Sequence, residues 1–164
     1  MTERLDKLAK DLGQRLETAG LMLATAESCT GGWVSKVVTD IPGSSAWFDR
    51  GFVAYRNSAK RELLGVSAVA IADYGAVNEE VAREMAQGAL DHSRADVAVA
   101  VTGIAGPTGG TEDKPVGTVC FAWMRKGRMP LSQRVQFAGH REEVRYQSVR
   151  LALERLLELL EDGD

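Results

Sequence analysis

A hydroxyl, a thiol and a pair of glycines lie close together after the first strand-like run of the chain. The apolar residues 21–24 lead into Thr25-Ala26-Glu27-Ser28-Cys29-Thr30-Gly31-Gly32, and an amphipathic segment follows. This order predicts a strand over 21–26, a tight turn and a helix from about 30 to 39. Such a turn directs small side chains and backbone N–H groups toward the positive end of a helix, where a nucleophile could act beside an oxyanion site. Simple helix capping also explains Ser and Thr at these positions.

A serine needs a base before it can attack a carbonyl carbon. Lys60 follows a second predicted strand at 51–55 and could reach back over the end of that strand, provided that its surroundings lower its pKa. Tyr55 could relay a proton or orient the ammonium group. His92, at the end of a predicted helix, and His140, at the start of another, are weaker candidates because capping and dipole interactions explain both. On spacing alone, a solvent-exposed position explains Lys60 and Tyr55 better than a catalytic one.

Cys29 competes with Ser28 for the role of nucleophile. A helix N-terminus lowers the pKa of a thiol, and a thiolate needs less activation than an alcohol. Adjacent residues of extended backbone point to opposite sides, so we expect only one of the two to face a cleft. The simpler interpretation of Cys29 is a small buried hydrophobe, and Cys120, in the middle of a predicted strand, is expected in the core.

A glycine-rich loop and two arginines are candidates for anion binding. The loop at 103–110 follows the clearest strand of the chain, 96–102, which is apolar on both faces and therefore central. The loop lacks the lysine of a P-loop, but its backbone could form an anion nest, and a plain connection explains it equally well. Arg141 and Arg145 lie one turn apart at the start of the last helix. Neighbouring glutamates or a bound phosphate would explain cations at that position.

The order of the predicted elements indicates an α/β fold. Helices and strands alternate along the early part of the chain, and an antiparallel β-hairpin precedes the last helix. We expect a single domain spanning residues 1–164, a three-layer sandwich in which a mixed β-sheet carries helices on both faces. Polar turns would meet at the carboxyl ends of the strands, with Thr102 and Gly103 beside the Ser28 turn.

Composition restricts the classes of partner. The chain has 164 residues, of which 45% are apolar and 26% charged, and its net charge is −3. This composition is ordinary for a globular protein. The negative net charge does not favour binding to nucleic acid, and the sequence contains no apolar run of transmembrane length. Two distant cysteines and two histidines lack disulfide or metal-ligand spacing, so we expect a reduced, cytoplasmic protein without a metal. The apolar first and last helices, together with Trp47 and Phe48, favour a homodimer or a higher homo-oligomer.

Three motifs taken together resemble a known family. Besides the segment 25–32, they are Gly43-Ser44-Ser45-Ala46-Trp47-Phe48 followed by Gly51-Phe52-Val53-Ala54-Tyr55, and Thr102-Gly103-Ile104-Ala105-Gly106-Pro107 followed by Lys114-Pro115-Val116-Gly117-Thr118-Val119. Over about residues 5–160 the sequence resembles the nicotinamide-nucleotide amidohydrolase family, the C-terminal domain of the competence-damage protein CinA.

The resemblance implies hydrolysis of the carboxamide of nicotinamide mononucleotide to nicotinic acid mononucleotide and ammonia, without a cofactor or metal. By motif position, Ser28 resembles the nucleophile, Lys60 the general base and Tyr55 the tyrosine that assists them. With the loops described above, the expected substrate-binding residues are Cys29, Thr30, Gly31, Gly32, Thr102, Gly103, Gly106, Arg141 and Arg145. Two alternatives stay open: a nucleotide-binding regulatory module without turnover, and an amidohydrolase that depends on Cys29.

Overall fold

A five-stranded mixed sheet lies between two layers of helices in the computed structural model, which describes residues 2–163. The strands are β1 (Leu23–Glu27), β2 (Phe48–Val53), β3 (Val97–Gly103), β4 (Thr118–Arg125) and β5 (Leu131–Gln136). The helices are α1 (Thr2–Ala19), α2 (Trp33–Thr39), α3 (Asn57–Leu64), α4 (Ala68–Tyr74), α5 (Glu79–Asp91) and α6 (Arg141–Gly163), with a 3₁₀ turn at Ser44–Ala46.

The sheet has the strand order β2-β1-β3-β4-β5. Strand β1 pairs in parallel with both β2 and β3, whereas β4 is antiparallel to β3 and to β5. Every residue of β1, and every residue of β3 except Gly103, is buried. Strand β3 was predicted to be apolar on both faces, as a parallel strand covered by helices requires, whereas β1 also buries the hydrogen-bonded side chains of Thr25 and Glu27. The predicted α/β three-layer fold and the late antiparallel hairpin are confirmed.

The two faces of the sheet differ in side-chain size. Leucine, valine and aromatic residues cover the face that packs against α1, α2 and α6. Alanines of β1, β3 and β4 cover the other face, and α5 presents further alanines to them, which allows a close approach of helix and sheet. At Gly88 of α5, a Cβ atom would lie 1.9 Å from the carbonyl oxygen of Leu64, the last residue of α3. Helix α5 therefore fixes the position of α3.

Two element boundaries differ from the sequence-based prediction in ways that affect the site. Helix α2 begins at Trp33 rather than near residue 30, because residues 29–32 form a turn in which Gly31 and Gly32 have positive φ angles of 59° and 100°. Strand β2 begins at Phe48 and ends at Val53, so Tyr55 lies in the connection to α3 instead of in the strand. Within the described residues, each helix is too short or too polar to cross a bilayer.

Candidate active site

Ser28 follows β1 directly, at the carboxyl end of the central parallel strands. Its N–H group donates to the carbonyl oxygen of Val101 in β3 at 2.9 Å, which extends the ladder by one residue. The chain then bends, and the N–H group of Gly31 donates back to the carbonyl oxygen of Ser28 at 3.0 Å. The sheet and this turn together fix the direction in which the Ser28 hydroxyl points.

The amine of Lys60 lies against the Ser28 hydroxyl. Nζ is 3.0 Å from Oγ of Ser28, and it donates to the carbonyl oxygen of Tyr55 at 3.2 Å. Lys60 belongs to the first turn of α3 and is only 2% exposed, so the solvated position favoured by spacing alone is wrong. Burial lowers the pKa of Lys60 below its ordinary value of 10.5. A hydroxyl in contact with a lysine that loses its proton readily is the arrangement required for an activated serine.

Tyr55 contributes through its main chain, which the sequence did not suggest. Its carbonyl oxygen accepts from Lys60 and, at 3.4 Å, from the Ser28 hydroxyl, while the residue is 54% exposed. The phenolic oxygen accepts a hydrogen bond from Nη2 of Arg141 at 2.8 Å. The expected contact between the Tyr55 hydroxyl and the Lys60 ammonium is therefore replaced by a contact between the ammonium and a backbone carbonyl.

A cavity of about 230 Å³ opens beside Ser28. The turn after β1, the loop after β3 and the start of α6 form its walls. The predicted site residues that line it are Ser28, Cys29, Tyr55, Gly103, Gly106 and Arg141. Thr108 and Gly109 also line it. Both belong to the glycine-rich loop at 103–110 that was a candidate for anion binding as a whole.

Both Ser28 and Cys29 contribute to the cavity wall, and the Cys29 side chain also belongs to the hydrophobic core, in agreement with its interpretation as a small buried hydrophobe. Cys29 is 5% exposed. Burial, with a smaller effect from the negative charge of Glu27, raises the pKa of the Cys29 thiol to about 12. The expected activation of this thiol by a helix N-terminus is therefore wrong, and the thiol stays protonated near neutral pH.

Glu27 is the residue of this region whose role the sequence analysis missed. Its fully buried carboxylate accepts from the Thr30 hydroxyl at 2.7 Å, from the N–H groups of Val34 and Ser35 at 2.8 and 2.9 Å, and from the Ser35 hydroxyl at 2.7 Å. The N-terminus of α2 therefore points at a side chain of the protein and not at Ser28, which corrects the predicted dipole contribution. A carboxylate just before a helix start was the available signal, since acidic groups favour that position.

Several of the predicted binding residues support the site from outside the cavity. The hydroxyl of Thr30 is used by Glu27, and the hydroxyl of Thr102 donates to the carbonyl oxygen of Ala76 at 2.9 Å, in the connection between α4 and α5. Gly31 and Gly32 shape the turn. As far as the described residues form it, the cavity wall includes none of these four positions.

The two arginines of α6 have different environments. Arg145 donates from Nε to the carbonyl oxygen of Cys29 at 3.1 Å and from Nη2 to that of Thr30 at 3.2 Å, and its guanidinium lies 5.8 Å from the ring centroid of Trp33. These contacts hold the turn, so they do not favour the predicted role of Arg145 in substrate binding. Arg141 lines the cavity and donates from Nη1 to the carbonyl oxygen of Gly106 at 2.7 Å.

Comparison with known sequences places this α/β protein in a family. A sequence model of the CinA C-terminal domain matches residues 5–160, and the chain belongs to that family. Nicotinamide-nucleotide amidohydrolase PncC of Escherichia coli strain K12 is 53% identical over 152 residues, which are 93% of this chain and 92% of that protein. The protein of the same name from Enterobacter agglomerans is 52% identical over 155 residues, 94% of each chain.

Solved structures agree with this assignment. The competence/damage inducible protein CihA from Agrobacterium tumefaciens superposes with a TM-score of 0.93 at 46% identity, covering 95% of both chains. The competence damage-inducible protein A from Klebsiella pneumoniae superposes with a TM-score of 0.94 at 39% identity, covering 98% of this chain and 99% of that one.

We predict that Arg145→Lys destabilises the protein by about 1–3 kcal/mol, because one ammonium group cannot replace the two directed N–H groups that hold the turn carbonyls. Chemical denaturation gives the change in the free energy of unfolding. Arg155→Lys, at an exposed ion pair with Glu158 on the same helix, is the control and should change stability by less than about 0.5 kcal/mol. Equal effects of the two substitutions would refute the structural role of Arg145.

Proposed function

We propose that the chain is an amidohydrolase that converts nicotinamide mononucleotide to nicotinic acid mononucleotide and ammonia with Ser28 as nucleophile and Lys60 as base. Relatives more than half identical over almost the whole chain carry the name nicotinamide-nucleotide amidohydrolase. The observation that supports the chemistry is the 3.0 Å contact between the Ser28 hydroxyl and the buried Lys60 amine. A regulatory module that only binds nucleotides would not need a lysine whose surroundings favour loss of its charge.

In the first half of the reaction, Oγ of Ser28 replaces the amide nitrogen on the carbon of the carboxamide. The neutral amine of Lys60 accepts the hydroxyl proton as Oγ bonds to the carboxamide carbon, and the carbonyl electrons move to the oxygen. When this tetrahedral intermediate collapses, the carbon–nitrogen bond breaks and Lys60 returns the proton to the departing ammonia. The carbonyl oxygen of Tyr55 accepts from Nζ and holds the amine beside Ser28, where the lone pair of the neutral form can take the hydroxyl proton.

In the second half, water releases the acyl group. Lys60 accepts a proton from the attacking water, a second tetrahedral intermediate forms, and its collapse breaks the bond to Oγ as Lys60 reprotonates Ser28. The products are a carboxylic acid and the free enzyme. The raised pKa of Cys29 disfavours a thiolate as the nucleophile at either stage, so we assign the neighbouring thiol to the cavity wall.

Backbone N–H groups of the turn are the proposed donors to the oxyanion. Among the described hydrogen bonds of the turn, the N–H groups of Ser28 and Gly31 donate to backbone carbonyl oxygens, and those of Cys29, Thr30 and Gly32 are the remaining candidates. In a trans peptide the N–H and C=O groups point in opposite directions. Hydrogen bonds to the carbonyl oxygens of Ser28 and Cys29 therefore set the directions of the N–H groups of Cys29 and Thr30, the two donors that we propose. A donor of this kind contributes about 3–4 kcal/mol to transition-state stabilisation.

Arg141 is the proposed contact for the substrate phosphate. It lines the same cavity as Ser28, and the bonds to Gly106 and to the Tyr55 hydroxyl use one hydrogen on each terminal nitrogen. A guanidinium has five N–H donors, so further hydrogens are available for a phosphate. The glycine-rich loop at 103–110 supplies flexible backbone on the same side of the cavity.

We predict that Ser28→Ala and Lys60→Met each lower kcat/KM for ammonia release by about a thousandfold or more, since the nucleophile or its base is lost. Lys60→Met should stay folded and at least as stable as the wild type, because an apolar side chain of similar length avoids burial of an amine. Cys29→Ala, which keeps the main chain, is the control and should retain most of the activity. Near-wild-type turnover in a folded Ser28 or Lys60 variant would refute this pair.

The pH dependence of the reaction follows from Lys60. The base must be unprotonated, so kcat/KM should rise with pH and level off once the pH exceeds the lowered pKa of Lys60, with a midpoint below 10.5. The pKa of Lys60 is lower in the folded protein than in the unfolded chain, so at a pH between these two values folding releases a proton from Lys60. The stability of the wild type relative to Lys60→Met should therefore increase as the pH rises. A kcat/KM that shows no rise at any pH below 10.5 would contradict the assignment of Lys60 as the base.

Arg141→Met should raise KM for nicotinamide mononucleotide by about 10–100-fold, because a charge-assisted hydrogen bond contributes about 1.5–3 kcal/mol. Turnover of nicotinamide riboside, which lacks the phosphate, should change little. Parallel ammonia assays on both substrates give the comparison, and Arg155→Met on the same helix is the control. An equal loss on both substrates would mean that Arg141 acts through Tyr55 and Gly106 instead of through the phosphate.

A further inference from the structure

We propose that Glu27 is a positioning residue whose buried carboxylate holds the 28–32 turn so that its free N–H groups face the reacting acyl oxygen. The inference rests on the function proposed above, because it concerns the transition state at Ser28. Glu27 itself touches neither the cavity nor the dyad among the contacts of the described residues. Its influence has to pass through the turn.

The four hydrogen bonds of the carboxylate connect the last residue of β1 to the far side of the turn. Oε1 accepts from Thr30 and Val34, and Oε2 accepts twice from Ser35. The intervening Gly31 and Gly32 have a wide choice of backbone conformations, so the turn cannot be rigid by its own sequence. Glu27 supplies the constraint that the glycines lack, since it fixes both the middle of the turn and the first turn of α2.

The anchor extends into the sheet. The Ser35 hydroxyl that donates to Glu27 also lies 2.7 Å from Oγ1 of Thr25 in β1. At Gly51 of β2, a Cβ atom would lie 2.3 Å from Oγ of Ser35 and 2.6 Å from Oγ1 of Thr25, so a larger residue there would displace both hydroxyls. The carboxylate is thus part of a packed polar cluster formed by Thr25, Glu27, Thr30 and Ser35 between the sheet and α2.

The chemistry of the donors explains why the residue is an acid. An ionised carboxylate only accepts hydrogen bonds and has room for about four, whereas a glutamine has one accepting oxygen and two N–H donors of its own. All four groups that meet Glu27 donate to it, and they are neutral. In Glu27→Gln, the side-chain NH₂ group would meet the N–H group of either Val34 or Ser35, and one of the two anchors of the carboxylate would be lost.

A misdirected oxyanion donor weakens binding of the transition state more than binding of the ground state. We therefore expect Glu27→Gln to lower kcat for ammonia release by roughly 10–100-fold while KM and the affinity for nicotinic acid mononucleotide change by less than about twofold. Leu16→Ala, in the core of α1 and away from the cavity, is the control for lost stability. Both variants are assayed well below their unfolding temperatures.

A second measurement does not depend on the identity of the substrate. A fluorophosphonate probe forms a covalent bond to an activated serine with loss of fluoride, and mass spectrometry follows the modification of Ser28. Glu27→Gln should slow this modification by roughly 10–100-fold because the phosphonyl oxygen uses the same N–H groups. Ser35→Ala removes one of the four donors and is the second variant. Ser35→Ala should slow ammonia release and Ser28 labelling by a smaller factor than Glu27→Gln. If Glu27→Gln does not fold, the rates of Ser35→Ala test the positioning role instead.

The outcomes separate the two proposals. Ser28 labelling in the wild type without ammonia release refutes the proposed substrate, and the labelling rates of the variants then still test Glu27. Unchanged kcat and labelling in the folded Glu27 variant, a rise in KM that accounts for the loss, or an equal loss in Leu16→Ala overturns the positioning role. A wild-type protein that shows neither reaction overturns both proposals.

Discussion

The contact between the Lys60 amine and the Ser28 hydroxyl is the interaction around which the rest of the structure is arranged. Lys60 as a residue is 2% exposed, so its amine loses hydration, and this loss favours the neutral form. Two oxygens replace the lost water: the Ser28 hydroxyl at 3.0 Å and the Tyr55 carbonyl at 3.2 Å. The fold has to bring two connections together at one edge of the sheet, and adjacent parallel strands β1 and β2 do this.

The turn that carries Ser28 is held from two sides by side chains of opposite charge. Arg145 binds carbonyl oxygens of the turn from α6, while Glu27 binds a hydroxyl of the turn and N–H groups of α2. The positive guanidinium of Arg145 donates to carbonyl oxygens, and the negative carboxylate of Glu27 accepts from N–H and hydroxyl groups. A glycine-rich turn can in this way combine an unusual backbone path with a fixed orientation of its peptide groups.

The sequence predicted the parts of this protein that depend on local pattern. Apolar runs identified the central strands, alternation of elements identified the α/β fold, and family motifs selected Ser28 and Lys60. Local pattern could not reveal that Lys60 is buried, since Arg61 and Glu62 beside it are exposed and its burial comes from packing against other segments. Nor could it reveal the partners of Arg145, because 116 and 115 residues separate it from Cys29 and Thr30.

The face of the sheet covered by alanines links side-chain volume to the geometry of the dyad. Alanines of α5 and of the sheet meet in this layer, together with a few larger side chains of α5 such as Met85, and the layer is fully packed. A methyl group at Gly88 would collide with the carbonyl oxygen of Leu64 at the end of α3. Helix α3 also contains Lys60, so a shift of this helix would move the Lys60 amine relative to Ser28. The contact between α5 and α3 therefore tolerates little added volume, although Gly88 and Leu64 lie outside the cavity wall.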